Sequence, residues 1–310
     1  MMNKNCRVII PLLLIGLVLM AGISAQTEAA HKVRTFAIVY PVLNSFFDET
    51  TNGAETMAKK LGCKLLLKGP DEFNIKQQIK IMKNLISLRV DGIAIGATDS
   101  NSLAPVINQA VEQGIKVVCF DTDCPSSKRL SFIGTDNLNA GIHMGEVAAK
   151  LLNYSGKVIC SQGIPSQLNL QQRLEGVKII FKKYPTIKIV DIRSGQGDST
   201  KTLVNIEEMA SENPDFDMLI GLDSYAGPQA VIAWKIKGLK KPMLTFDDLP
   251  EVMQGIRDGQ ITVAIVQKQR LWGELVVRRL NEACNGQRIP IKEDTGTIEI
   301  TKENVDSYKK

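Results

Sequence analysis

Residues 90–123 read VDGIAIGATDSNSLAPVINQAVEQGIKVVCFDTD, in which one apolar run precedes a more polar segment and a second apolar run follows it. The apolar residues of the middle segment recur every three to four positions, as on one face of a helix: Leu103, Val106, Ile107 and Ala110. The flanking runs DGIAIG and IKVVCFD are mostly apolar, as strands covered on both faces of a sheet are. The stretch therefore predicts a strand, a crossover helix and a parallel strand.

The same alternation continues on both sides of this stretch. Before it lie the strand-like runs RTFAIVY (34–40) and CKLLL (63–67), and Gly62 is placed to end the helix between them. After SFIGTDN (131–137) the pattern restarts with the strands KVICS (157–161), IKIVDI (187–192), FDMLIG (216–221), PMLTFD (242–247), ITVAIVQ (261–267) and GTIEI (296–300), and with helices near 137–152, 171–183, 199–211, 226–237 and 269–284. Strands that alternate with helices predict an α/β fold with two parallel sheets, in two units of about 100–130 residues.

Polar residues follow several of these strands at the point where each strand ends. They are Asn44, Asp121, Asp223, Asp247 and Gln267. In open parallel sheets this is the edge where ligands bind. A single acid there is as readily a helix N-cap. Amides and acids at the ends of strands from both halves together predict a binding site.

The N-terminus has the order of a secretory signal peptide. Lys4 and Arg7 precede an apolar run, and GISAQ offers a cleavage site after Ala25. The run is shorter than the roughly 20 residues of a spanning helix, although an uncleaved anchor stays an alternative. We expect residues 1–25 to be removed and the protein to be soluble in the periplasm. The remaining 36 basic and 33 acidic residues argue against nucleic acid or an anionic membrane as a partner.

Motifs for catalysis or metal binding are poor. The segment SGQGDSTKT (194–202) lacks the Gly-Lys-Thr ending of a phosphate loop, and no nucleophile elbow occurs. His31 and His143 lack metal-ligand spacing. Five cysteines follow the cleavage site, so at least one is free or pairs between chains; Cys119 and Cys124 could bridge, or all could be thiols. We predict a binding protein rather than an enzyme, without metal or cofactor.

Several stretches resemble type I periplasmic solute-binding proteins of the ribose-binding family, which deliver sugars to ABC importers. They are FAIVYPVLNSFFDET (36–50), the opening stretch, FIGTDN (132–137), LNLQQRLEG (168–176), MLTFDD (243–248) and QITVAIVQ (260–267). The resemblance covers the mature chain and implies two Rossmann-like domains joined by a three-crossover hinge, with the ligand in the cleft. It implies a first domain of residues 31–135 plus 268–295, and a second of 136–267 plus 296–310.

The resemblance also implies roles for single residues. Phe46 and Phe47 match rings that pack against the apolar faces of a sugar, although either alone could be core. Asp121 and Asp247 match acids that accept hydroxyl protons, and Arg173 matches an arginine that donates to the ring oxygen or a hydroxyl. The expected ligand-binding set is completed by Tyr40, Asn44, Asp123, Asn169, Asp223 and Gln267.

Three departures from ribose binders limit the choice of ligand. Thr122 and Asp123 follow the first-domain aspartate, where ribose binders have an arginine. Asp223 replaces an asparagine, and Gly197 stands where an aromatic residue would close the pocket. An extra acid and a missing ring change the size and hydrogen bonding of the site. We therefore expect a monosaccharide or polyol, without assigning ribose.

The expected partner is an ABC permease of the inner membrane, bound by a monomeric protein whose cleft closes on its ligand. A periplasmic sugar-sensing subunit that signals to a receptor or sensor kinase is the main alternative, because it would share the fold and the closure. A repressor effector domain also shares the fold but would need a DNA-binding helix-turn-helix where this chain has a signal peptide. An enzyme is a further alternative.

Overall fold

The structure is a computed structural model that describes residues 33–309. The predicted signal peptide, residues 1–25, and His31 lie outside the described residues. No helix within the described part of the chain has the length and apolar character needed to cross a membrane.

The described chain alternates strands and helices. The strands are β1 (Thr35–Val39), β2 (Lys64–Lys68), β3 (Gly92–Ile95), β4 (Lys116–Phe120), β5 (Ser131–Gly134), β6 (Gly156–Gln162), β7 (Ile187–Ser194), β8 (Met218–Gly221), β9 (Met243–Phe246), β10 (Val263–Gln267), β11 (Lys292–Asp294) and β12 (Thr297–Ile300). The helices are α1 (Asp48–Leu61), α2 (Ile75–Ser87), α3 (Ser100–Glu112), α4 (Asn137–Leu151), α5 (Leu168–Lys183), α6 (Ser199–Glu212), α7 (Ala226–Lys237), α8 (Pro250–Arg257) and α9 (Gln269–Cys284).

These strands form two six-stranded sheets of the same design. The first has the order β11-β5-β4-β3-β1-β2 and is parallel throughout. The second has the order β12-β10-β9-β8-β6-β7 and is parallel except for β12, which runs antiparallel to β10. The inner strands are buried along their whole length, as expected of strands covered by helices on both faces. The predicted α/β fold class with two parallel sheets is confirmed.

The chain passes between the two sheets more than once. After β5 it enters the second sheet, and after β10 it returns through α9, which packs against α1. The strand β11 joins the first sheet beside β5, and β12 then joins the second sheet beside β10. The sheet membership of these elements agrees with the expected domain boundaries, which stay a prediction.

The bounds predicted from the sequence pattern lie within a few residues of the observed bounds for most helices and strands. Gly62 ends α1 with a φ of 66°, the left-handed conformation that glycine adopts without strain. The helix α5 begins at Leu168, three residues before the start expected from its apolar spacing, and Asn169 therefore lies in its first turn. The five described cysteines, including Cys119 and Cys124, are free thiols.

Candidate functional site

A cavity lies between the carboxyl ends of the two sheets. It holds about 480 Å³ of empty space, its mouth and the adjoining solvent included. Nine of the eleven residues expected to bind ligand line it: Asn44, Phe46, Phe47, Asp121, Asn169, Arg173, Asp223, Asp247 and Gln267. The lining comes from strand ends and helix starts of both halves, so neither half forms the cavity alone.

The two adjacent phenylalanines form one aromatic wall. They lie in a single 3₁₀ turn, Ser45–Phe47, and their ring centroids are 4.8 Å apart with planes inclined at 80°. Phe47 is 5% exposed and packs against the ring of Tyr40, whereas Phe46 is only half-buried. The turn therefore buries the ring of Phe47 in the core and leaves the ring of Phe46 partly exposed. Both residues line the cavity. Such edge-to-face packing holds the wall in a fixed shape.

Two of the acids sit on strained backbone. Asp121 directly follows β4 with a φ of 57°, and Asp247 directly follows β9 with a φ of 70°. Positive φ is uncommon outside glycine, and aspartate is one of the few residues that adopt it. The positive φ marks the point where each strand ends, and the carboxyl group there borders the cavity.

The acids of the cavity hold their protons to unusually high pH. Burial raises the pKa of Asp121 to about 6 and that of Asp247 to about 7, while the Arg173 guanidinium opposes both shifts. Burial likewise raises the pKa of Asp223 to about 6, against backbone hydrogen bonds and Arg173. Three acids thus share one buried cation, so the cavity has a surplus of acceptors near neutral pH.

Arg173 is only 2% exposed, and four contacts hold its side chain in place. Its Nε donates to Asn137 Oδ1 at 2.9 Å, and its Nη1 donates to the carbonyl of Leu222 at 2.9 Å. Its Nη2 donates to Gln267 Oε1 at 3.3 Å, and its Cζ lies 3.8 Å from the ring centroid of Phe246. A guanidinium stays protonated at neutral pH, so the site holds a permanent positive charge in a fixed orientation.

The close approach of two helices places Arg173 in the cavity. At Gly141 of α4 a Cβ atom would lie 2.1 Å from the carbonyl oxygen of Arg173 on α5, and at Gly176 one would lie 2.4 Å from the carbonyl of Leu138. Only residues without a side chain permit this spacing. The two glycines therefore let α5 lie against α4, which brings the guanidinium within reach of Asn137 at the start of α4.

Amide side chains link the charged groups across the cavity. Gln267 Nε2 donates to Asp247 Oδ1 at 2.8 Å, while its Oε1 accepts from Arg173. Asn169 Nδ2 lies 3.4 Å from Asp121 Oδ1, and Asn44 Nδ2 lies 3.5 Å from the hydroxyl of Tyr225. The last two contacts join a residue of one half to a residue of the other. Asn44 Oδ1 is buried and accepts no hydrogen bond from the described residues, so it is free to accept one from a ligand.

Two of the residues expected to bind ligand do not line the cavity. Tyr40 is 2% exposed, and its hydroxyl lies 2.7 Å from Thr51 Oγ1. Asp123 forms a bidentate ion pair with Arg129, accepting from Nε at 2.5 Å and from Nη2 at 2.6 Å. Neither borders the cavity. Tyr40 supports the ring of Phe47 from below, and Asp123 fixes the loop after β4.

The cavity also has a wall that the sequence did not predict. Phe73, Ile164, Gln167 and Tyr225 all line it. All four lie in loops that follow strands, the position that singled out the acids, but none of them carries a periodic signal. Within residues 33–309 no group of three or more histidine, cysteine, aspartate or glutamate side chains is arranged to hold a metal ion.

The chain is similar to known proteins over most of its length. A family model described as a periplasmic binding protein domain matches residues 36–288. The D-ribose/D-allose-binding protein of Pseudomonas aeruginosa is 28% identical over 91% of this chain and 91% of its own. A solved solute-binding protein of an ABC transporter from Burkholderia graminis, in complex with D-arabinose, is 34% identical over 89% of this chain and 98% of its own, with a TM-score of 0.87. The solved XylFII–LytSN complex contains a chain that is 26% identical over 87% of this chain and 98% of its own, with a TM-score of 0.83.

Proposed function

This chain belongs to the periplasmic binding protein family, and we propose that it captures one monosaccharide or polyol, unchanged, between its two sheets and delivers it to an ABC permease. The observation that carries the proposal is the combination of an aromatic wall with three buried acids and one buried arginine around a single cavity. A sugar has apolar C–H faces and a rim of hydroxyl groups. Rings fit the faces, and carboxylates accept the hydroxyl protons.

The balance of donors and acceptors supports an uncharged ligand rich in hydroxyl groups. Within the described residues Asp247 accepts one hydrogen bond, on Oδ1, so its Oδ2 has acceptor capacity left. Asn44 Oδ1 also accepts none. A sugar hydroxyl donates to such groups, and charge-assisted hydrogen bonds are the stronger kind. A sugar acid would place another negative charge beside three acids and is the wrong class.

We propose the same division of the chain as the sequence predicted: a lobe of residues 31–135 plus 268–295, and a lobe of residues 136–267 plus 296–310. The ligand-binding residues belong to both lobes, and enclosing a ligand then requires closure about the connecting segments. The protein works in the periplasm as a monomer, after export directed by residues 1–25.

A thermal-shift panel tests the proposal. Purified protein is scanned with D-arabinose, D-ribose, D-allose, arabitol and, as contrasts, glucuronate and glutamine. At 100 times its dissociation constant a ligand stabilises the folded state by about 2.7 kcal/mol. We expect stabilisation by at least one neutral sugar or polyol, confirmed by calorimetry, with the sugar recovered unchanged by mass spectrometry. Stabilisation by glutamine alone would contradict the proposal, and conversion of the sugar would make the protein an enzyme.

A sensing role is the second candidate. The structural likeness to the chain in the XylFII–LytSN complex favours it, because that complex joins a chain of this fold to a second protein. Both roles use the same closed cleft, so only the receiving protein differs. Detergent-solubilised membranes passed over immobilised, sugar-loaded protein distinguish them. Retention of an ABC permease supports delivery, whereas retention of a receptor or kinase supports sensing.

A further inference from the structure

One contact at the mouth of the cavity joins the two halves through an aromatic ring and a glycine. Gly197 lies in the loop between β7 and α6 with a φ of 76°. A Cβ atom there would lie 2.5 Å from Cδ2 and 2.8 Å from Cε2 of Phe73. Real side chains do not approach so closely, so the Phe73 ring occupies the space that any other residue at position 197 would need.

The ring and the glycine come from opposite halves. Phe73 lies in the loop between β2 and α2, beside the first sheet, and its ring packs against the core of that half. Gly197 follows the outermost strand of the second sheet, and Ile164 beside it would lie 3.3 Å from the same Cβ. Phe73, Gly197 and Ile164 all border the cavity. The contact can therefore exist only when the two halves are closed against each other.

We propose that Phe73 is the latch of the cleft: its ring, seated on the bare backbone of Gly197, closes the mouth and slows release of the ligand. The proposal rests on the proposed function only for the identity of the ligand. The aromatic group that position 197 lacks is supplied from the other half, by Phe73. Only glycine at position 197 leaves room for it.

The latch acts on the closed form and so on release rather than capture. The open cleft has no such contact, so losing the ring leaves the first encounter with the ligand unchanged. Most differences in affinity among variants of one interface appear in the dissociation rate. A residue that merely supported the fold would lower the melting temperature without this selective effect on release.

Four variants form a double-mutant cycle with a matched control: Phe73→Ala, Gly197→Ala, the two combined, and Gly259→Ala. Gly259 has a φ of 72° and no heavy atom within 4 Å of an added Cβ, so it measures the backbone strain of alanine at positive φ without a collision. Stopped-flow kinetics use the best neutral ligand of the panel, beginning with D-arabinose. The cycle isolates the coupling between the ring and position 197.

We expect Phe73→Ala and Gly197→Ala each to raise the dissociation rate about tenfold, with association rates unchanged within about threefold. In the Phe73→Ala background, Gly197→Ala should add no more than Gly259→Ala adds to the wild type. Equal effects of Gly197→Ala in both backgrounds would show strain alone and overturn the latch. A dissociation rate unchanged by Phe73→Ala would overturn it as well.

A cross-linking experiment needs no sugar. It therefore distinguishes failure of the latch from failure of the proposed function. Cysteines introduced at positions 73 and 197 are treated with a short bis-thiol reagent, and linked peptides are identified by mass spectrometry. The reagent reacts irreversibly and so traps the closed form whenever the apo cleft samples it. We therefore expect a 73–197 link to accumulate in the apo protein, and no 73–259 link in the matched Phe73→Cys/Gly259→Cys variant. If the panel finds no ligand but the 73–197 link forms, the proposed function fails and the contact stands. Absence of the 73–197 link overturns the latch.

Discussion

Asp121 and Asp247 occupy equivalent positions in the two sheets. Each follows the third strand in its sheet order, β4 in the first and β9 in the second, and each has a left-handed backbone. The two halves thus share one feature, an aspartate with positive φ directly after a buried strand, and both aspartates line one cavity. Residues in strained conformations persist where the surrounding structure holds them, and they concentrate at functional sites.

We predict that sugar affinity falls as the pH is lowered from 8 to 5. Hydroxyl groups donate to carboxylates more strongly than to protonated acids. Burial raises the pKa of Asp247 to about 7 and that of Asp121 to about 6, so both acids lose their charge within this range. Calorimetry at pH 8, 7, 6 and 5 should show a loss of at least about tenfold in affinity. An affinity independent of pH would mean that these acids do not accept from the ligand.

The same acids give the stability of the apo protein the opposite pH dependence, so that stability falls as the pH rises. Because the folded-state pKa of Asp247 lies above the usual value, the folded protein binds its proton up to higher pH than the unfolded chain does. Its contribution to stability is therefore full below about pH 4 and is lost as the pH rises through about 7. Asp247→Asn should melt at least about 2 °C higher than the wild type at pH 8, with little difference at pH 4.5, and should bind sugar poorly. A variant that melts lower at pH 8 would contradict this.

We predict that Arg173→Lys weakens sugar binding by at least about tenfold. A lysine keeps the charge but cannot donate simultaneously to Asn137, the Leu222 carbonyl and Gln267, as the guanidinium does. Because the side chain is buried and bonded, the apo melting temperature should also fall by several degrees. Lys182→Ala, on the exposed part of the same helix beside Glu175, serves as the control. Equal affinities of Arg173→Lys and wild type would place the arginine outside the binding site.

The sequence predicted which acids line the cavity because strand ends are visible in it. Asp121 follows the apolar run VVCF, Asp247 follows MLTF, which is apolar except for Thr245, and parallel strands bring their carboxyl ends to one edge. Arg173 could not be found this way, because an arginine on a helix with a weak apolar stripe ordinarily faces solvent. Only its resemblance to a family position singled it out, and the physical cause, a close approach of α4 and α5 at Gly141, depends on tertiary packing.

Tyr40 and Asp123, both expected to bind ligand, do not line the cavity, and each has a local structural cause. Phe36 and Ile38 on β1 and Tyr40 directly after it alternate with their neighbours, and all three pack in one cluster with residues of α9. The alternation therefore sends Tyr40 into that core rather than into the cleft. Asp123 pairs with Arg129, six residues later, within the same loop. No periodic pattern marks such loop pairs, so their partners are apparent only in the folded structure.

We predict that Tyr40→Phe changes sugar affinity by less than about twofold, because the hydroxyl bonds Thr51 and does not border the cavity. The lost hydrogen bond should cost about 1 kcal/mol of folding stability. Phe46→Ala is the contrasting variant, since its half-buried ring lines the cavity, and it should weaken binding while costing less stability than loss of a core ring. Isothermal titration and thermal scans on the same preparations compare the two. A strong loss of affinity in Tyr40→Phe would return that residue to the site.

The last prediction separates two roles of Asp223. Its Oδ1 accepts from the backbone N–H of Ala226, the first residue of α7, at 3.1 Å, while the residue also lines the cavity. The Oδ1 of an asparagine can accept the same hydrogen bond, so Asp223→Asn should keep the apo melting temperature at pH 8 at or above that of the wild type. The same variant removes a charged acceptor, and we expect sugar affinity to fall about tenfold. Asp99→Asn is the matched control, because Asp99 Oδ1 accepts from Ser102 N–H at 2.7 Å at the start of α3 and does not line the cavity. Its affinity and stability should both match the wild type. If Asp223→Asn binds sugar as the wild type does, Asp223 only holds the start of α7, and the charged acceptors of the site reduce to Asp121 and Asp247.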